Sequence, residues 1–496
     1  MKGQKLILPL SLFFCSLICS GKGYFEWTPA LRGAYEKAIS LRFGEAETEL
    51  AKIRRDDPEN LMLLHVENYI DFFKVYLNEE EEEFETLEPN KDRRLDRIEK
   101  EGDKSSPYYL FLQADIRLQW ALARLKFEQY STAFFETNKA FKLLTRNTEV
   151  FPSFMPNKKD LGILHAMVGT IPDGYKWAVD LLSSMEGTLE QGRAELEEVV
   201  DYAKKNDFIF EQEIYVYYAY LLLHLDNDNE AAWKLINTAN LNPSQNPLDC
   251  FIMANVAMRT DRGDKAIAIL EKRPVGNQYH PFYYLDYMLG LAKLQRLDMD
   301  ANVFLQRYVD NFKGRNFIKD AYQKLAWYSL LHNDGKGFHR YMDLCKKTGF
   351  TVVGSDRSAF NEAKSGDEPL PELLKARLLF DGGRFQMALD VLKHRRTDDF
   401  MALKNKLEFT YRMGRIQHKL LLYDDALAHY QQTIILGADQ PWYFACRAAL
   451  EQGHIYELEH KYELAKAAFK KCLSMSPDDH KTGLHQQAKA GLRRLK

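Results

Sequence analysis

Few stretches of this chain carry side chains whose type and spacing could do chemistry. Asp226, Asp228 and Glu230, in DNDNE, alternate like the opening of a calcium loop. Such a loop needs glycine at its sixth position and a bidentate glutamate at its twelfth. Ala231 and Asn237 stand there instead, so an inter-helix turn, which Asp and Asn suit, is the better account. Arg262-Gly263-Asp264 spells a tripeptide that integrins read, yet Gly and Asp are also what a tight turn requires. Glu79 to Glu83, with Glu85 and Glu88, run straight into KDRRLDRIEK (Lys91 to Lys100). That juxtaposition reads as a solvated, self-paired segment, with a patch for cations or a basic partner as the alternative. The 13 histidines are scattered. No H-E-x-x-H, G-x-S-x-G, P-loop or G-x-G-x-x-G occurs. We therefore expect no catalytic, cofactor-binding or metal-ligating residues, and no enzyme.

The chain has 496 residues, 28% of them charged and 46% hydrophobic, with a net charge of −3. Such a balance excludes global disorder and supplies no field for nucleic acid or an anionic membrane. Residues 1–23 pair Lys2 and Lys5 with an apolar run from Leu6 to Ile18 and then small residues. This is the pattern of a secretory signal peptide; cleavage and retention as an anchor are both compatible with it. Later stretches never approach ~20 uninterrupted apolar residues. We expect an exported protein, in the periplasm, on the outer membrane or secreted. Cys250, Cys345, Cys446 and Cys472 follow the leader without any C-x-x-C pair. They read as apolar packing, with a Cys446–Cys472 bridge as the alternative.

Repetition is the main signal. Gly414 and Gly453 lie 39 residues apart, and each is followed twelve residues later by Ala426 or Ala465. Tyr423 and Tyr462 precede those alanines by three, and Tyr430 and Phe469 follow by four. Those offsets place the aromatics on one helical face and let small residues bring two antiparallel helices together. Pro477 then ends the second helix. Phe43, Ala46, Leu50, Ile53 and Pro58 repeat the pattern, as do Ala219 with Ala231 and Leu235, Ala254 with Ala266 and Leu270, Gly290 with Ala301, and Phe385 with Ala388 and Leu392.

On these residues the chain resembles the tetratricopeptide repeat (TPR) family, whose unit is a helix–turn–helix. The resemblance implies an all-α helical-hairpin solenoid with irregular insertions. It divides the chain into N-terminal repeats at 24–150, an irregular insert punctuated by Pro and Gly at 151–192, central repeats at 193–350, a loop at 351–371, and C-terminal repeats with a polar capping helix at 372–496. TPR-like geometry would turn the residues six and three before each small residue, and one after it, toward the concave side. This names Tyr220, Tyr284, Tyr287, Tyr411, Arg415, Arg447 and His454 as a groove, together with Glu213, Val216, Leu291, Glu408 and Leu450. The expected function is a non-enzymatic scaffold that binds a protein or peptide partner in that groove, without nucleic acid. Two alternatives stay open. One is a glycan-binding helical-repeat protein using Trp120, Trp177, Trp233, Trp327 or Trp442. The other is a hydrolase on an α/α scaffold, which would need two facing acids with perturbed pKa values.

Overall fold

The computed structural model describes residues 23–170 and 185–495. The signal-like segment before Gly23 lies outside them, as do Pro172, Gly174 and Trp177 of the expected insert. Among the described residues the fold is all-α, with twenty-four α-helices and only two isolated β-bridges. The first nine helices are α1 Pro29–Ile39, α2 Phe43–Asp56, α3 Met62–Asn78, α4 Glu81–Glu101, α5 Pro107–Lys126, α6 Tyr130–Val150, α7 Met155–Thr170, α8 Leu189–Ala203 and α9 Glu211–Tyr220. There follow α10 Asn229–Thr238, α11 Pro247–Arg259, α12 Gly263–Glu271, α13 Tyr284–Arg296, α14 Ala301–Asn311, α15 Ile318–Leu331, α16 Gly335–Lys347 and α17 Gly354–Ser365. The last seven are α18 Pro371–Asp381, α19 Phe385–Leu392, α20 Leu403–Lys419, α21 Tyr423–Gly437, α22 Phe444–Leu458, α23 Tyr462–Ser474 and α24 Lys481–Arg494.

One turn device recurs through the solenoid. Leu41, Glu128, Asn227, Asp261, Asn333, Gly383, Leu421 and His460 all have left-handed backbone, and each stands two positions before the second helix of a hairpin. Only one of the eight is glycine, although an L-residue pays roughly 1 kcal/mol or more there. The conformation is imposed by hairpin closure rather than by local preference. Three residues into the second helix of these hairpins comes a buried residue: Ala46, Ala133, Ala232, Ala266, Phe338, Ala388, Ala426 or Ala465. In the α9–α10 unit this is Ala232, one residue later than the Ala231 read from sequence, because Asp228 caps α10 through the Ala231 amide at 3.0 Å. The turn reading of DNDNE thus holds. Arg262-Gly263-Asp264 likewise forms a helix start, with Asp264 accepting from Arg384 at 2.6 Å.

The small residues seat the aromatics. A Cβ on Gly453 would stand 2.4 Å from Phe469 Cε1, and one on Gly414 would stand 2.6 Å from Tyr430 Cδ1. Gly453→Ala should therefore cost about 1–3 kcal/mol through overpacking. Gly44→Ala, on an open face of α2, should be neutral or slightly stabilising. Denaturant midpoints of the two variants check this; equal behaviour would contradict the packing.

Two segments depart from expectation. The 351–371 stretch contains helix α17 rather than a loop through its length. Asp356, Ala359 and Ala363 form a narrow buried stripe on it, and short side chains give no strong hydrophobic signal. Asp356 Oδ2 accepts from the Phe317 amide at 2.6 Å and Oδ1 from the Asp320 amide at 2.9 Å, so it holds the start of α15. Burial pushes its carboxyl up to about 7, against the pull of those backbone donors. Within the expected insert, α7 is a regular helix with Pro156 in its first turn, where a missing N–H is harmless, and α8 already begins at Leu189. The charged run is self-paired only in part, as at Lys100 and Asp96, 3.6 Å apart. Lys91 is buried against Glu136 at 2.7 Å, Arg94 against Asp71 at 2.6 Å, and Lys126 pairs with Glu79 at 2.7 Å.

The solenoid winds back onto itself. His280 N donates to Leu41 O at 2.7 Å, and Glu79 takes the backbone amides of Arg315 and Asn316. One winding further on, Lys419 pairs with Asp261 at 2.7 Å. Gly383, at φ +78°, comes so close that a Cβ would stand 2.1 Å from Asp261 O. Only glycine allows two backbones to approach so closely.

Candidate partner-binding groove

The predicted groove residues divide into three groups. Tyr411, Arg415, Arg447 and His454 come together, as helical spacing dictates: Tyr411 and Arg415 are one turn apart on α20, and Arg447 and His454 are two turns apart on α22. Arg415 donates to the Tyr411 hydroxyl at 3.3 Å and lies 4.4 Å from the Phe380 ring centroid. Arg447 Nε donates to Glu451 Oε1 at 2.8 Å, while His454 Nδ1 and His418 Nδ1 lie 3.5 and 3.8 Å from Glu451 Oε2. Burial alone would raise the Glu451 carboxyl. The His454 hydrogen bond and the Arg447 and Arg415 guanidiniums instead hold it well below the usual carboxylate range. Burial lowers the His418 pKa. Arg415, Arg447 and His454 are half-buried. Tyr411 is the correction in this group: at 2% exposure it sits among Leu407 and Phe444 as packing, and only its hydroxyl reaches Arg415.

The middle pair is also corrected. Tyr287 is 4% exposed and donates to Asp320 at 2.6 Å, buried between Tyr284, Tyr308 and Phe317. Tyr284, half-buried, stacks on Tyr287 with ring centroids 5.2 Å apart, and burial raises its phenol. These helices pack so tightly that apolar rings are consumed by the core. Tyr220 stands apart on α9, 44% exposed, against the His224 ring at 4.8 Å.

Sequence reasoning missed the most concentrated polar site. Five helices (α1, α3, α5, α7 and α9) converge so closely that the concave face of the first winding closes. At its centre Lys159 Nζ lies 2.7 Å from Asp160 Oδ1, 2.9 Å from Glu213 Oε2 and 3.4 Å from Asp115 Oδ1. The hydroxyls of Tyr35 and Tyr69 each donate to Glu213 Oε1 at 2.5 Å, and His65 Nε2 meets Asp115 Oδ2 at 2.7 Å. Lys159 and Asp160 are fully buried and Asp115 is 1% exposed. Burial pushes the Asp160 carboxyl far up despite Lys159. Burial acts the same way on Asp115, but there Lys159 and His65 prevail and hold the group low. Two acids with opposed pKa shifts are what a hydrolase would need; here both are buried beside the Lys159 ammonium, at 3.4 Å from Asp115 and 2.7 Å from Asp160. The one available signal was Glu213, already placed on the concave side by repeat geometry.

From Asp115 a hydrogen-bonded chain runs through Gln119 and Asn68 to Arg94. It ends in an open cavity of about 570 Å³ between α2, α3 and α4. Arg54, Arg93, Arg94 and Arg97 line it opposite Glu47, Glu67 and Asp71. These charges largely satisfy one another: Arg54 pairs with Glu67, and Arg94 with Asp71. Of the tryptophans, Trp120 and Trp327 are buried, donating to Asn68 and Glu362. Trp233 and Trp442 are half-buried. Among the described residues no helix is long and apolar enough to cross a membrane.

Fold and site together define a helical-repeat solenoid with a buried polar cluster around Lys159 and a partly exposed cluster of Arg415, Arg447 and His454 around Glu451. No model of a known protein family matches the chain, and a search of curated proteins finds no match.

Proposed function

We propose that the chain is a non-enzymatic scaffold of the TPR type, exported to the periplasm or cell envelope, which binds a protein or peptide partner between α20 and α22. One observation carries this reading. Arg415 and Arg447, from successive hairpins, lie partly exposed near Glu451 and His454, in an arrangement packed before any partner arrives. Pre-organised guanidiniums lose little freedom on binding and favour carboxylates on the partner. The recurrent hairpin turn and the Gly–aromatic contacts support the TPR assignment, and the leader-like residues 1–23 support export.

The test is crosslinking and capture from intact cells, comparing wild type with Arg415→Ala/Arg447→Ala. We expect a specific partner to fall at least tenfold with an unchanged circular dichroism spectrum. Recovery of the same partners at the same yield would reject the groove. Fractionation of the cells tests export separately.

A further inference from the structure

We propose that Cys446 and Cys472 are a disulfide-forming pair, oxidised by exchange with a low-molecular-weight disulfide such as oxidised glutathione. The inference rests on geometry at the α22–α23 contact and is independent of the groove reading. The two Sγ atoms lie 3.5 Å apart, both buried, and Cys446 Sγ is also 3.4 Å from Cys472 O. A disulfide needs about 2.05 Å between sulfurs, so closure asks for roughly 1.5 Å of approach between two side chains already in contact. The helices face each other across the Gly453–Phe469 contact, which fixes their spacing.

The other two buried thiols differ. Cys250 and Cys345 belong to other units, α11 and α16, and burial pushes each up to about 12. At Cys446 the direction reverses, because the Cys472 thiol hydrogen-bonds to its sulfur and favours the thiolate. With Cys446 attacking, Cys472 resolves; the reverse order balances identically, since each sulfur faces the other at 3.5 Å.

The chemistry balances as ordinary exchange. Cys446 thiolate attacks one sulfur of the small disulfide, whose S–S bond breaks and releases one thiolate. Cys472 loses its proton to solvent and attacks the Cys446 sulfur of the mixed disulfide, expelling the second thiolate. Two protein thiols lose two electrons and two protons; the small disulfide gains both and becomes two thiols. Access comes from the chain end. Helix α24 covers the pair, with Leu484 O 3.9 Å from Cys472 Sγ, and a terminal helix opens most readily. Once formed, the bond ties the helix that carries Arg447, Glu451 and His454 to its hairpin partner and restricts the unfolded chain.

The experiment equilibrates the full chain in glutathione buffers from reducing to oxidising, quenches with acid, alkylates in denaturant and maps peptides by mass spectrometry. We expect the Cys446 and Cys472 peptides joined with loss of two hydrogens, and Cys250 and Cys345 alkylated. Oxidation should also raise the denaturant midpoint of the wild type, while Cys446→Ala/Cys472→Ala stays insensitive to redox buffer. Full alkylation of both cysteines at the most oxidising poise would overturn the proposal. So would a glutathione adduct on Cys446 that never resolves, or a bridge to Cys250 or Cys345. None of these outcomes depends on whether the groove binds a partner.

Discussion

Replacing Lys159 by methionine should unfold the first winding at a markedly lower denaturant concentration, with a loss of about 3–5 kcal/mol. Lys159 is the ammonium shared by Asp115, Asp160 and Glu213, and it is fully buried between the Phe210 and Tyr217 rings, 5.2 and 4.9 Å from their centroids. Methionine fills similar space, so the loss is of charge rather than volume. Removing one partner leaves the others buried without compensation, which costs far more than the intact cluster contributes. Asp160 is already pushed toward its neutral form by burial, and without Lys159 the Asp115 carboxylate keeps only His65 to hold its pKa down. Hydrogen exchange in α3, α5 and α7 should quicken together, because all three supply cluster residues. Adding Asp115→Asn and Glu213→Gln should recover part of the loss, since a neutral network no longer needs the cation. A Lys159→Met midpoint within about 0.5 kcal/mol of wild type would show that the cluster does not hold the winding shut.

Glu79→Ala should loosen the contact between successive windings by about 2–4 kcal/mol. Glu79 is 5% exposed at the left-handed C-cap of α3, with φ 55°. Its Oε2 accepts from the Arg315 amide at 3.1 Å, the Asn316 amide at 2.8 Å and Asn316 Nδ2 at 2.8 Å; its Oε1 takes Lys126 Nζ at 2.7 Å. Alanine strands those donors in a place water reaches poorly. Amide exchange at 314–317 should accelerate well before the helices on either side respond. Glu79→Gln keeps one carbonyl oxygen for the backbone donors but turns its amide N–H group toward the Lys126 ammonium, so its loss should be smaller than that of alanine without vanishing. Unchanged exchange at 314–317 in Glu79→Ala would mean the windings are held by other contacts.

The hairpin was readable from Gly453, Ala465 and Phe469 because their spacing states a steric requirement that survives without coordinates. A helix that needs a glycine to admit a ring must meet that ring, and the structure places the pair in contact. The register slipped at Ala231, where two adjacent alanines satisfy the pattern equally and only the Asp228 cap selects Ala232. Helix α17 was invisible for a related reason: Asp356, Ala359 and Ala363 bury little apolar area, and the carboxylate that anchors the helix looks like a loop residue in sequence. The groove was half legible. Arg415, Arg447 and His454 stay partly exposed, and Arg447 and His454 meet at Glu451. Tyr287 and Tyr411 do not stay exposed, because neighbouring units approach closely enough to enclose their rings.

From sequence alone, local spacing determined that this protein is a run of antiparallel helix pairs seated on small residues, since side-chain direction along a helix follows directly from residue number. Tertiary structure decided how tightly those pairs wind. That winding turned an expected open concavity into a buried ionic core around Lys159, and made buried Glu79 a clasp rather than part of a solvated run. Curvature accumulates from small rotations at every hairpin contact, and no single motif encodes the sum. Residues 79 and 316, or 35 and 213, meet only after many such rotations, so their partnership cannot be read from either neighbourhood.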